Sequence, residues 1–196
     1  MPFTTAQIAA IKADIAANSD MNTQPMSNAG HAEIARLYNL VAAPTTSVWR
    51  TEVPVSLIDD QITYASYTPV DAMPAINSLS GNGEILQHNG RLLAIQTKQM
   101  NLQKLLFGRE TVDASKANIR AGLRDAVIGL PAGAGGATVS AGGASGVNVL
   151  TAMTRPALRI EKLFVGGTAT TGTVTANLLV YEGGITADEV ATARES

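Results

Sequence analysis

Apolar residues recur at helical spacing along much of this chain, and the strongest block is 82–108, inside the longest proline-free span. Placed at 100° per residue, its apolar side chains fill one wide arc. Ile85, Leu92, Ile95, Leu102 and Leu106 lie towards one side of that arc, and Leu86, Leu93, Met100 and Phe107 towards the other. Asn89, Gln96 and Gln103 run down its middle at seven-residue intervals, with Gln99 close by. The pattern predicts one long helix over about 84–107, closed by Gly108.

The flanking segments predict shorter elements. Thr4 and Gln7 have capping-box spacing ahead of Ile8, Ile11 and Ile15, so a helix is expected over 4–18. A second helix follows Ser27 or Asn28, with Ile34, Leu37, Tyr38 and Val41 on one face and Pro44 as its stop. Residues 47–55 alternate weakly and read as a short strand or extended linker, with Trp49 as a packing anchor. A short helix is expected over 54–62, and Pro69 with Pro74 allows at most a broken helix in 63–80. Asp113 or Ser115 is expected to cap a helix over 116–128. Residues 147–164 resume a helical pattern, in which Pro156 either kinks the helix or opens its second half. Residues 168–182 are rich in threonine, valine and leucine, the best strand candidate. Gly183 and Gly184 then turn the chain, and Thr186 with Glu189 forms a second capping box for a short C-terminal helix.

Composition changes this picture at one place. Between Gly129 and Gly146 most residues are glycine or alanine, so 129–147 is expected to be a loop or extended arm. The fold class expected is therefore mainly α: a helical domain built around one long central helix, with a Gly/Ala-rich loop and a small β segment near the C-terminus. Residues 1–44 would form an N-terminal helical hairpin or arm, and 45–196 the core domain.

Only 4% of the 196 residues are aromatic, while alanine and glycine abound. Small side chains bury little area at roughly 25 cal/mol per Å², so part of the burial is expected to come from partner subunits. A net charge of −2 lacks the basic excess of a nucleic-acid binder, and a nucleic-acid partner is not expected. With no cysteine there is no disulfide framework, thiol nucleophile or thiolate metal site. No basic region precedes an apolar run at the N-terminus, as an export signal would require, and no run reaches the ~18 apolar residues of a membrane span.

Catalytic readings lack parts. His31 and His88 have no second histidine at ligand spacing, and surface or interface roles are expected for both. Gly133-Ala134-Gly135-Gly136 has no following Walker lysine, and Ser145 sits outside a nucleophile-elbow pattern. Asp59 and Asp60 are adjacent in a helix and point to different sides. No catalytic residue, cofactor or metal site is expected.

Two features point instead to partners. Lys116, Arg120 and Arg124 fall at i, i+4 and i+8 and form a basic stripe. It would dock an acidic partner, unless Glu110, Asp113 and Asp125 neutralise it locally. The amide row has two readings as well. Asn89, Gln96, Gln99 and Gln103, flanked by Leu93 and Met100, would either bond to loops of the same subunit or face their equivalents on sister subunits, fixing register as a buried asparagine does in coiled coils.

The linear pattern of Phe3-Thr4-Thr5-Ala6-Gln7-Ile8-Ala9-Ala10-Ile11-Lys12-Ala13-Asp14-Ile15, followed by Val48-Trp49-Arg50-Thr51-Glu52-Val53-Pro54-Val55, resembles an uncharacterised family of tailed-bacteriophage virion proteins from the structural-gene region. The resemblance continues at Leu105-Leu106-Phe107-Gly108-Arg109, at Asp113-Ala114-Ser115-Lys116-Ala117-Asn118-Ile119-Arg120, at Arg159-Ile160-Glu161-Lys162-Leu163-Phe164 and at Glu182-Gly183-Gly184-Ile185-Thr186. It implies a virion component made in the bacterial host cytoplasm, with portal, adaptor, tail or capsid proteins as partners, and it supplies no catalytic residues. The function expected is a non-enzymatic homo-oligomer at the neck or tail. Capsid decoration and an assembly-chaperone role are the alternatives, with a small hydrolase behind them.

Overall fold

The computed structural model describes residues 3–62, 64, 79–128 and 141–196, with side chains left out at 79–88, 91 and 141–145. The chain divides into two compact units whose boundaries cross the sequence order. The first comprises Met1–Trp49, Arg155–Ala169 and Thr175–Ser196, and the second Arg50–Thr154 and Thr170–Val174.

In the first unit, helix α1 (Thr5–Ala17) opens with the expected capping box of Thr4 and Gln7. The short α2 (Ser19–Asn22) follows, and α3 (Asn28–Tyr38) is capped by the Ser27 hydroxyl, which accepts from the Gly30 amide. Strand β1 (Ser47–Trp49) comes next in this unit. Further along the chain lie β4 (Thr154–Pro156), α8 (Arg159–Leu163), β5 (Val165–Thr171), β6 (Val174–Leu179) and α9 (Ala187–Glu195). The strands form one mixed sheet in the order β4-β1-β6-β5, with β1 parallel to β6 and Val48 opposite Asn177. The isoleucine stripe of α1 packs with Ile34 and Tyr38 of α3, Ile160 and Phe164, Ile185, and Val190 and Ala193 of α9 in a single buried cluster. The Phe3 ring sits 4.6 Å from that of Tyr181 and 5.9 Å from that of Phe164.

Among its described residues the second unit is mostly helical, with one short ribbon and the Thr170–Val174 end of the β5–β6 hairpin. Strand β2 (Val53–Pro54) pairs antiparallel with β3 (Thr111–Val112), and Val53 faces Val112. Helix α4 (Val55–Asp59) is followed by the long α5 (Leu79–Leu106), then by α6 (Ala117–Val127) and α7 (Ala141–Ala152). Helix α6 packs against both α5 and α7, where Leu123, Ala126, Val127, Val149, Leu150 and Met153 are buried. Gly108 ends α5 at φ +71°, the left-handed geometry a glycine cap supplies.

These units correct three expectations. The fold is an α/β mixture rather than mainly α around one central helix, because a four-stranded sheet organises the first unit. A cut at residue 44 is not seen: helices α1 and α3 pack on α9, joining both chain ends in one body. Residues 147–164 are not one helix or two helical halves, since Thr154–Pro156 is a strand. Pro156 has no N–H to give a helix and pushes Arg155 towards extended backbone.

Two boundaries moved for local reasons. The expected Gly/Ala loop lies outside the described residues over 129–140, but 141–147 belongs to α7, where Gly146 lets the backbone approach Ile128. A Cβ at Gly146 would sit 3.2 Å from the Ile128 Cβ. The β candidate over 168–182 is a hairpin turning at Gly172, whose φ of +59° suits the first central position of a two-residue turn. Pro69 and Pro74 lie outside the described residues.

Candidate interaction surface

Among the described residues α5 packs most closely against α6, and only one part of its apolar arc is buried. Ile95, Leu102 and Leu106 are buried on the side facing α6. Gly122 makes that approach close, since a Cβ there would stand 3.2 Å from Leu105 Cδ1. Lys98 fastens the same side by donating to the Asp125 carbonyl, with the Asp125 carboxylate 3.8 Å away.

The other half of the arc is open. Leu93, Met100 and Phe107 retain 65%, 69% and 79% of their exposure. They stand seven residues apart, within about 40° of one another around the helix axis. Asn89, Gln96 and Gln103 are exposed along one edge of this stripe and, among the described residues, make no side-chain hydrogen bond; Gln99 is exposed just beyond them. The amide row thus marks the border between the covered and uncovered halves of the arc. Ile85, Leu86 and the His88 side chain lie outside the described side chains.

Near the C-terminal end of α5 the open stripe runs into a groove of about 440 Å³ lined by Val55, Asp59, Tyr64, Gln99, Leu102, Gln103, Leu106 and Phe107. Its walls are aliphatic and aromatic with two amides. The Tyr64 hydroxyl donates to Asp59 Oδ1 at 2.9 Å. Burial and that carboxylate push the phenol up to about 12, so it stays a neutral donor at physiological pH. A groove of this kind takes an apolar side chain and offers its backbone amide partners.

The basic stripe is not brought together as one face. Lys116 is exposed and lies 3.3 Å from Asp113, whose carboxyl is held below its usual range by bonds from Ser115 and Lys116 that outweigh its partial burial. Arg120 is only 3% exposed and serves the interior of its own unit. Its guanidinium donates to the Ala114 and Ser115 carbonyls at 2.7 Å and to Thr171 Oγ1 at 3.0 Å. Burial lowers its pKa, against the opposing pull of Asp113. Arg120 is therefore not available to a partner, because its donors already replace the interior carbonyls' lost water. Arg124 is half-buried beside Gly172.

Other sequence candidates resolve plainly. Trp49 is a packing anchor, 1% exposed with its indole N–H on the Ala169 carbonyl at 3.1 Å. His31 does not take the surface role expected: it is 5% exposed, and among the described residues its Nε2 has no hydrogen-bond partner. It lies on the inner side of α3 beside Gly30, whose absent Cβ would fall 2.0 Å from the Pro25 carbonyl oxygen. Asp59 holds Tyr64, while Asp60 is exposed. The Ser145 side chain is outside those described. Among the described residues no three His, Cys, Asp or Glu side chains cluster as metal ligands, and no helix is long and apolar enough to cross a membrane.

Sequence reasoning missed a buried ionic clamp in the first unit. Glu161 is fully buried, and both its oxygens accept from Arg155 at 2.6 Å. The same carboxylate accepts from the Leu158 and Gly183 amides at 2.8 and 2.9 Å, while Arg155 also reaches Glu182 at 2.9 Å. Burial raises the Glu161 pKa, but these bonds outweigh it and hold the carboxyl below its ordinary value. The available signal was an arginine and a glutamate six residues apart, with Pro156, Ala157, Leu158 and Ile160 between them.

Comparison with protein-family models, with curated proteins and with solved structures finds no match to this chain.

Proposed function

We propose that this protein is a non-enzymatic structural component of a tailed-phage virion, assembling as a symmetric homo-oligomer at the neck or tail through the open face of α5. The observation that carries the oligomer is the stripe Leu93, Met100 and Phe107, each left mostly in water. Support for the virion setting is the ordered resemblance of segments from Phe3 to Thr186 to phage structural-gene products.

The energetics are compatible with closed, symmetric association. Burying three such side chains yields about 5 kcal/mol per face, whereas association costs at least ~4 kcal/mol before side chains are ordered. Closing a ring of n copies makes n contacts against n−1 losses of freedom, so the last contact forms without a further loss, which suits a modest patch. The amides at the stripe's edge then supply direction, since Gln96 and Gln103, once buried, gain amide partners only in a matching register.

Changing Gln96 and Gln103 together to leucine is the test. Multi-angle light scattering should show an altered oligomer size, with helix content unchanged by circular dichroism. An unaltered size would remove the amide row from the interface. Imaging of particles then places the protein: signal at the portal vertex supports the neck or tail, signal over the whole shell supports decoration, and absence from finished particles supports a chaperone.

A further inference from the structure

A second cavity in the second unit, of about 280 Å³, is lined by Arg124 and Ile128 at the end of α6, Gly146, Val147 and Leu150 of α7, and Gly172 and Thr173 of the hairpin turn. Arg124 sets its chemistry. Its Nε lies 2.8 Å from the point where a Cβ on Gly172 would stand and its Cδ 3.3 Å from that point, so the guanidinium stem is laid along the turn because residue 172 has no side chain. One helical turn earlier, Arg120 gives its donors to three oxygens. Arg155 and Arg159 are matched by Glu161 and Asp20. Arg124 is half-buried and, among the described residues, donates to no oxygen and meets no carboxylate.

A guanidinium remains charged at any physiological pH and carries five donors in a fixed fork. Withdrawing it partly from water without an acceptor is unfavourable, and a carboxylate restores the balance through two short charge-assisted bonds. The other walls choose the rest of the ligand. Ile128, Val147 and Leu150 are apolar, and the Thr173 hydroxyl is the one further side-chain donor among the described lining residues. A single cation matches a single negative charge; a phosphate dianion would leave its second charge against aliphatic walls. The volume falls just under the ~300 Å³ at which drug-sized sites begin, which suits an acid of roughly four to six carbons.

We propose that this pocket binds a carboxylate carried on a short apolar stem, with Arg124 as its anchor. Both a free short-chain acid and a glutamate side chain of another protein carry that group. The site is separate from the α5 face and stands whether or not the protein oligomerises there.

Amide-resolved NMR titration of the full chain tests it with three probes: butyrate, its neutral isostere butyramide, and glutamate capped at both ends. Butyrate is expected to shift the Gly172 and Thr173 amides saturably, with a Kd on the order of 1–10 mM, while butyramide leaves them in place. Arg124→Gln should weaken that response at least about tenfold, with the remaining amide spectrum superposable on the parent, and Arg124→Lys should recover part of it. Tighter binding of capped glutamate than butyrate identifies a protein side chain as the ligand, and the reverse identifies a free acid. Equal shifts with butyramide, no saturable shift with either acid, or full binding by a folded R124Q would each overturn the proposal. Should R124Q not fold, the butyrate and butyramide titrations of the parent protein decide alone.

Discussion

In the first unit the apolar stripes of α1, α3, α8 and α9 all meet in one cluster, and ionic contacts close its margins. Arg155 holds Glu161 and Glu182, Arg159 holds Asp20 at 2.5 Å, and Lys12 donates to the Ser196 carbonyl at 2.8 Å. In the second unit α5 buries Ile95, Leu102 and Leu106 but leaves Leu93, Met100 and Phe107 in water. Both units use ordinary helical spacing. What separates them is how many neighbours each helix has: four helices enclose a cluster, whereas the described part of α5 has its close helical packing against α6. An apolar arc wider than its neighbour becomes a surface, and a surface of this kind suits a partner copy.

The contrast can be broken at its strongest point first. Glu161→Ala should cost about 3 kcal/mol in urea unfolding, because it takes the bidentate carboxylate from Arg155, leaving it Glu182 alone, and deprives the Leu158 and Gly183 amides of their acceptor. The same carboxyl gives the first unit an acid dependence. Its folded pKa lies below the unfolded value, as does that of Asp20 beside Arg159, so their stabilisation is present at neutral pH and is lost as pH falls below about 4. Urea melts at pH 7 and pH 3.5 should show that loss, and E161Q should show less of it.

On α5 the two sides of one helix should answer differently. Leu102→Ala removes a buried side chain and should lower unfolding stability by about 2–3 kcal/mol. A smaller effect is expected at the terminal caps. Thr186→Ala deletes the hydroxyl that accepts from the Glu189 amide and should lower thermal stability by about 1 kcal/mol. The least effect on folding should come from Met100→Ser with Phe107→Ser, within about 0.5 kcal/mol at concentrations where the protein is monomeric. Yet this double variant should shift sedimentation towards monomer. Equal unfolding losses for the Leu102 and Met100 sides would show that the open stripe is core in solution.

Much of the local structure was legible. Thr4 with Gln7 and Thr186 with Glu189 form the capping boxes their spacing predicts, and Gly108 ends the long helix. These signals act over three or four residues, so neighbours in sequence contain the whole interaction. The amide row was legible too, as was the division of the arc into two sides. Which side would be covered was not, because that depends on α6, a separate element. Arg120 shows the same limit: its i, i+4 spacing with Lys116 and Arg124 reads as a surface stripe, but Thr171 and the Ala114 carbonyl draw it inside. His31 was misjudged for a similar reason, lying on the buried side of α3.

By itself, then, the sequence determined the starts of α1, α3 and α9, the glycine stop of α5 and the period of its apolar stripe, since capping and glycine geometry are local. Only the tertiary structure decided that segments 146 residues apart meet, as Asn39 and Ile185 do through bonds of 2.9 Å. It alone decided that Thr154–Pro156 joins a sheet, and that Leu93, Met100 and Phe107 stay outside. Pairing and coverage depend on what arrives from elsewhere in the chain, and periodicity carries no record of it.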